Sequence, residues 1–186
     1  MIRSIKINKG EMKDRINKHD LFFKEGVNII AGPNGSGKSS LFQLLTNFHG
    51  HEGNCTVDWE PADYLMFDFE RDNPRKDVYY KSPHQLLLQY CSHGESNQTM
   101  IKKLDDDEVK GKTVFLDEPE QALDIKGLKM LIKILKQSLA SQIFIASHSP
   151  SLILHPDFNI VELKDGYTLL VKKHIQSVIG KVKNVS

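Results

Sequence analysis

The chain has 186 residues, 39% of them hydrophobic and 26% charged, enough for one substantial core and too few for two full domains. Twenty-five Lys and Arg face 24 Asp and Glu, a balance that argues neither for nor against a polyanionic partner and leaves any nucleic-acid surface to a local patch. No apolar run approaches the roughly 20 residues that span a bilayer, and the two cysteines, Cys55 and Cys91, form no CxxC pair, so a soluble, cytoplasmic chain with inert thiols is expected.

In chain order, Ile2, Ile5 and Ile7 alternate as in a strand, and a polar stretch over 8–20 separates them from Leu21-Phe22-Phe23. Val27 to Ala31 reads as a buried strand that feeds a Gly-rich turn at 32–37, and 39–45 has the apolar spacing of a helix. Short strands are expected over 55–59 and 64–69, followed by a charged loop at 70–77 and a mainly helical interval over 78–110. Thr113 to Leu116 is a short apolar strand, a helix is expected from about 125 to 140, and 142–146 is a further buried strand. Lys164-Asp165-Gly166 between two apolar runs, 159–163 and 167–171, signals a hairpin. Apolar strands alternating with helices predict an α/β fold with a mainly parallel sheet covered on both faces.

Three segments carry chemistry. Gly32-Pro33-Asn34-Gly35-Ser36-Gly37-Lys38-Ser39 satisfies G-x-x-x-x-G-K-[ST] between a strand and a helix. Its glycines allow successive N–H groups to turn inward as an anion nest. The helix that follows adds roughly half a positive charge at its N-terminus. Lys38 can reach β- and γ-phosphates and Ser39 can ligate Mg²⁺; the competing reading is a Gly-rich turn capped by serines. Val114-Phe115-Leu116-Asp117-Glu118-Pro119 sets two adjacent carboxylates at a strand end, the edge where ligands sit in open α/β sheets. Asp117 suits a metal and Glu118 the in-line attacking water, although both could be solvated loop acids or a helix cap. Ile145-Ala146-Ser147-His148-Ser149-Pro150 ends another strand with a histidine, either structural or a donor to the γ-phosphate or the attacking water.

Taken together, these segments resemble the ABC ATPase superfamily: a Gly-Pro-Asn-Gly-Ser-Gly-Lys-Ser phosphate loop, a Leu-Asp-Glu-Pro acidic strand end and a Ser-His-Ser segment, spanning residues 27–150. The resemblance implies a P-loop ABC-type fold over 1–186. It carries an antiparallel β portion at the N-terminus and a reduced helical subdomain at roughly 78–105. It further implies Mg-dependent ATP hydrolysis by a dimer that closes on two nucleotides, with ATP and Mg²⁺ bound. Gly32, Pro33, Asn34, Gly35, Ser36, Gly37, Lys38, Ser39 and Ser40 would hold the phosphates, Ser39 and Asp117 the metal, and Lys38, Glu118 and His148 would be catalytic. Asp124, in Glu120-Gln121-Ala122-Leu123-Asp124, corresponds to the family's interface aspartate.

In that family a Leu-Ser-Gly-Gly-Gln segment of the second subunit completes the site, and Cys91-Ser92-His93-Gly94-Glu95 is its counterpart here, with Ser92 and Gly94 facing a γ-phosphate held opposite. Cys91 stands in place of the leucine and His93 in place of the first glycine; Ser92 could instead cap a helix. Ser-His-Gly-Glu is similar to the form in small non-transporter members, the RecF, Rad50, SMC and Old-like branch. Only residues 39–91 separate Lys38 from Ser92, little room for the helical subdomain of transporter ATPases, so a non-transporter switch acting on nucleic acid or an effector protein is expected, with a transporter subunit as the alternative.

Other signals are weaker. Asp68 ends a strand as either a metal neighbour or a core-edge acid, and Phe22 and Phe23 read as core before they read as an adenine platform. Lys126, Lys129, Lys133 and Lys136 lie opposite an apolar face of Leu128, Leu131, Ile132, Leu135 and Leu139. That stripe is a solvated helix face, or alternatively a contact for nucleic-acid phosphates. His49 and His51 are too sparse for a metal site.

Overall fold

The computed structural model describes residues 1–46, 54–60, 62–68, 101–105 and 107–183. Numbering the described elements in chain order gives β1 (Ile2–Ile7), α1 (Glu11–Arg15), β2 (Asp20–Phe22), β3 (Gly26–Ala31), α2 (Lys38–Thr46), β4 (Cys55–Trp59) and β5 (Tyr64–Asp68). After two short 3₁₀ turns at 103–109 come β6 (Thr113–Asp117), α3 (Ile125–Gln137), β7 (Gln142–Ser147), α4 (Pro150–Ile153), β8 (Asn159–Glu162) and α5 (Tyr167–Lys183). The chain divides into two compact units, one of Met1, 24–27 and 60–146, the other of 2–23, 28–59 and 147–186.

In the first unit β6 lies between β5 and β7, parallel to both, with Phe67 opposite Leu116 on one side and Leu116 opposite Ile145 on the other. A strand flanked on both edges and covered on both faces must be apolar throughout. Val114, Phe115, Leu116, Ile143, Phe144 and Ile145 are accordingly buried. Phe115 and Phe144 stack at a centroid separation of 5.0 Å, and burying such a ring stabilises by about 1.5–3 kcal/mol. Gln142, fully buried, satisfies its amide by donating Nε2–H to the Lys24 carbonyl at 3.0 Å. Asp124 caps α3, its Oδ1 accepting the Gly127 N–H at 2.7 Å.

The amphipathic reading of α3 holds, with a shift of face. Leu131, Ile134 and Leu135 are buried, Leu128 and Ile132 half-buried, and Lys126, Lys129, Lys133 and Lys136 exposed. Leu139 is exposed, because the helix ends at Gln137 and Leu139 lies past its last turn.

In the second unit β1 is the middle of a three-stranded antiparallel sheet, pairing Ile5 with Leu21 of β2 and with Val57 of β4. Buried Ile5 and Ile7 carry the period-2 signature of its inner face, and the register shift between Ile2 and Ser4 brings Ile2, three residues before Ile5, to a buried position as well. β3 runs parallel to β8, Ile30 opposite Val161, and the buried Asn28 closes its polar account with Asn159 through a side-chain bond of 2.8 Å. The short helix α1 falls inside the stretch read as polar connection, with Met12 as its one buried residue.

The expected hairpin after β8 is corrected: residues 167–171 begin α5 instead of a second strand. Glu162 decides this. Its carboxylate accepts the Thr168 N–H at 2.6 Å and the Gly166 N–H at 3.1 Å, satisfying donors that a helix start leaves open. Burial pushes the Glu162 pKa up, but the hydrogen bonds from Thr168 and Gly166 and the charge of Lys18 outweigh it and hold the group below its ordinary value. A carboxylate depressed in the folded state stabilises above its unfolded pKa and loses that contribution as the pH falls through the folded one. The protection factors of the Gly166 and Thr168 amides, taken against their intrinsic exchange rates, are therefore expected to fall on acidification below pH 4.5, more than global unfolding accounts for. Glu162→Gln, which has no carboxylate to protonate, removes that acid dependence, and an unchanged profile would count against the carboxylate as the cap.

Candidate functional site

The buried end of β3 delivers the chain into the loop 32–37, and α2 begins at Lys38. The loop is tightened by the Ser36 N–H, which donates to the Pro33 carbonyl at 3.1 Å, and the Leu41 N–H closes the first helical turn on the Gly37 carbonyl at 2.8 Å. Gly37 has φ +92, a backbone conformation that favours glycine, whereas the 2.7 Å approach of an added Cβ to Met12 Sδ is one a flexible methionine relieves by shifting. At Gly32 a Cβ would stand 2.4 Å from Ser36 Oγ. Ser36 itself is buried, and its hydroxyl has no hydrogen-bond partner among the described residues. A buried hydroxyl without a partner among the described residues, in a glycine-rich loop just ahead of a helix, is a donor that an anion satisfies.

Lys38 is buried at 6% relative exposure, and its ammonium folds back over the loop, donating to the carbonyls of Gly32 at 3.0 Å and Pro33 at 3.3 Å. The loop thus holds a positive charge over its own mouth at the N-terminus of a nine-residue helix. Pro33, Asn34, Gly35 and Ser39 are exposed and Ser40 is half-buried. Beside this loop a cavity of about 270 Å³ opens between α1 and α2, lined by Met12, Arg15, Ser40 and Gln43 among others. None of its lining residues is aromatic. Phe22 is exposed, Phe23 is buried, and neither lines the cavity, so neither is a platform there. The cavity went unseen in the sequence because α1 is a single short turn in a polar stretch; Met12, a lone apolar residue among charges, was its one signal.

In the other unit, β6 ends at Asp117, which is half-buried and lies directly opposite Asp68 at the end of β5. Two carboxylates on neighbouring strand ends form an acidic edge of hard oxygen donors, the type suited to Mg²⁺. Among the described residues no cluster of three or more His, Cys, Asp or Glu could hold a metal, so any such ion needs ligands from elsewhere. Glu118 leaves the strand direction. Its φ is +50, unusual for a residue with a side chain, while its N–H remains in the sheet, donating to the Ala146 carbonyl at 3.0 Å. The backbone thus turns at Glu118, where the strand ends. Its carboxylate accepts a short hydrogen bond from Gln121 Nε2.

His148 follows β7 and is exposed, in a turn where the Ser147 hydroxyl accepts the Ser149 N–H at 2.9 Å. Asp124 lies at the surface as the α3 cap. The structure thus gathers residues 32–40 into one loop and Asp68, Asp117 and Glu118 along one edge. Ser92 and Gly94, most of the expected helical subdomain, and His49, His51 and Cys91 lie outside the described residues. Cys55 is half-buried, and burial pushes its thiol pKa up, in keeping with an inert thiol.

No protein-family model matches the chain. In sequence it is 26% identical to a protein of Pyrococcus horikoshii named as an ABC transporter ATP-binding protein, over 77% of this chain and 72% of that one. It is 25% identical to the zinc import ATP-binding protein ZnuC of Haemophilus ducreyi, over 94% of this chain and 73% of that one. In structure it matches a chain of a metal-chelate type ABC transporter in an inward-facing conformation, with a TM-score of 0.52 and 19% identity over 81% of this chain and 75% of that one. It also matches an ABC transporter ATP-binding protein of Pyrococcus furiosus, with a TM-score of 0.52 and 14% identity over 87% and 96% of the two chains. These relatives carry transporter names, and none supports the RecF, Rad50 and SMC branch or a nucleic-acid partner. Parallel strands flanked by helices, an antiparallel sheet near the N-terminus and a phosphate-type loop between β3 and α2 together give the chain the P-loop fold of the ABC ATPases.

Proposed function

We propose that the chain binds and hydrolyses ATP as an ABC-type nucleotide-binding subunit, a switch that closes as a dimer on nucleotide and drives a membrane-embedded partner. The observation that carries the ATP reading is the loop 32–37, where Gly37 sits at positive φ, the buried Lys38 ammonium folds back onto the Gly32 carbonyl and the buried Ser36 hydroxyl has no hydrogen-bond partner among the described residues. In this reading the triphosphate displaces the Gly32 and Pro33 carbonyls as the acceptor of Lys38, and the cavity beside α1 takes the nucleoside. Ser39 and Asp117 would hold Mg²⁺ through oxygen, and the ion would supply charge neutralisation at the phosphate. Glu118 orients a water in line with the γ-phosphate and accepts its proton, and His148 donates to the phosphate as charge builds there. The exposed Asp124 is available to a second subunit while capping its own helix.

A transporter partner replaces the nucleic-acid or effector partner expected from the sequence. That expectation rested on the short interval between Lys38 and Ser92. The similarity to transporter ATP-binding proteins, extending over most of both chains, favours the membrane partner instead. The exposed lysines of α3 then read as a solvated helix face.

The test pairs turnover with partner capture. The purified chain is expected to release phosphate from Mg-ATP, and a tagged copy to bring down an integral-membrane protein from native membranes in an ATP-sensitive way. Strong stimulation by DNA or RNA with no membrane protein retained would overturn the partner assignment. Absence of phosphate release and of ATP binding together would overturn the whole reading.

A further inference from the structure

Between the acidic strand end and α3 the chain makes a tight linkage. The Gln121 N–H donates to the Glu118 carbonyl at 3.1 Å, the Leu123 N–H to the Glu120 carbonyl at 3.2 Å, and the Asp124 side chain then starts the helix. Both Glu118 and Ala122 sit at positive φ, +50 and +55. Non-glycine residues hold such conformations at an energetic cost, and they persist where surrounding bonds over-determine them. Gln121 supplies two of those bonds, meeting Glu118 through its backbone and its side chain alike.

We infer that Gln121 is a positioning residue for hydrolysis, its amide fixing the orientation of the Glu118 carboxylate; this rests on the reading of Glu118 as the base. Left to itself a glutamate side chain spreads over several rotamers. Glu118 is half-buried at the end of a strand, so an undirected carboxylate forfeits the alignment that in-line attack requires. One N–H from Gln121 restrains that freedom and leaves the carboxylate acceptor capacity for a water, since an ionised carboxylate offers about four lone-pair positions. Because Gln121 belongs to the segment leading into α3 and not to the phosphate loop, its contribution falls on the chemical step and leaves nucleotide affinity alone.

The experiment compares wild type with Gln121→Met, Gln121→Lys and Glu118→Gln, reading kcat and KM for ATP, ATP affinity by calorimetry and melting temperature. Gln121→Met keeps the length and removes the donor. It is expected to lower kcat about tenfold, the effect of losing roughly one net hydrogen bond's worth of alignment, with KM and ATP affinity unchanged. Gln121→Lys restores a donor at similar reach and is expected to recover part of the rate. An unchanged kcat in Gln121→Met beside an inactive Glu118→Gln overturns the positioning role while sparing Glu118 as the base. A kcat loss matched by lost ATP affinity or a collapsed melting temperature, with no recovery in Gln121→Lys, assigns Gln121 to folding and overturns the proposal too. A wild type without turnover overturns both this inference and the reading beneath it.

Discussion

Glu118→Gln is expected to cut phosphate release by about a hundred- to ten-thousand-fold, the range over which a positioned general base accelerates a reaction, while ATP affinity stays near wild type. The amide keeps the size and the ability to accept the Gln121 N–H but cannot take a proton from water at neutral pH. Because the phosphate loop belongs to residues 32–40 and the substitution touches none of them, nucleotide still binds. A protein that binds and cannot hydrolyse then collects in its closed form, and sizing in Mg-ATP is expected to show a dimer that the wild type populates only transiently. Undiminished turnover, or a monomer under saturating ATP, would refute the assignment of Glu118 and the dimer switch respectively.

Lys38→Ala is expected to weaken ATP by on the order of 100-fold, the loss of charge-assisted bonds worth about 1.5–3 kcal/mol to a phosphate, and calorimetry at micromolar protein would register little or no heat. The fold is expected to survive. The ammonium donates to the loop carbonyls of Gly32 at 3.0 Å and Pro33 at 3.3 Å, and Pro33 is solvent-exposed, so water replaces part of what is lost. Wild-type affinity in this variant would remove the phosphate-loop reading, and with it the foundation of the proposed function. A large fall in melting temperature would instead mark Lys38 as a structural cation.

How much of this was legible beforehand differs by element. The apolar strands β3, β6 and β7 announced themselves because a strand covered on both faces has no polar position to spare, and each lies within a residue or two of its expected bounds. The helix α3 was visible from its 3.6-residue period, though the sequence overran its end: Leu139 continues the pattern, but Ser138 turns the chain outward and bonds the Leu104 carbonyl. The error after β8 has a different origin. Lys164-Asp165-Gly166 is a genuine turn signal, yet a turn can open a helix as well as a second strand, and the two carboxylate bonds from Glu162 settle which. No local pattern contains them. The α1 turn and the cavity it lines were likewise silent, since five residues with one apolar member carry no period.

The non-transporter reading rested on a chain interval, and the relatives do not support it; the length between Lys38 and Ser92 bounds how much chain is present, not which surface it builds. By itself the sequence determined which residues can bind phosphate, which can hold a metal and which can move a proton, because those capacities belong to side-chain chemistry and to glycine at tight turns. Only the tertiary structure decided that Ser36 is buried without a partner among the described residues, that Lys38 folds over its own loop, and that Glu118 turns out of the strand onto Gln121. Burial and orientation arise from contacts between residues distant in the chain or from backbone angles that neighbours impose, and neither is written in the residue that displays it.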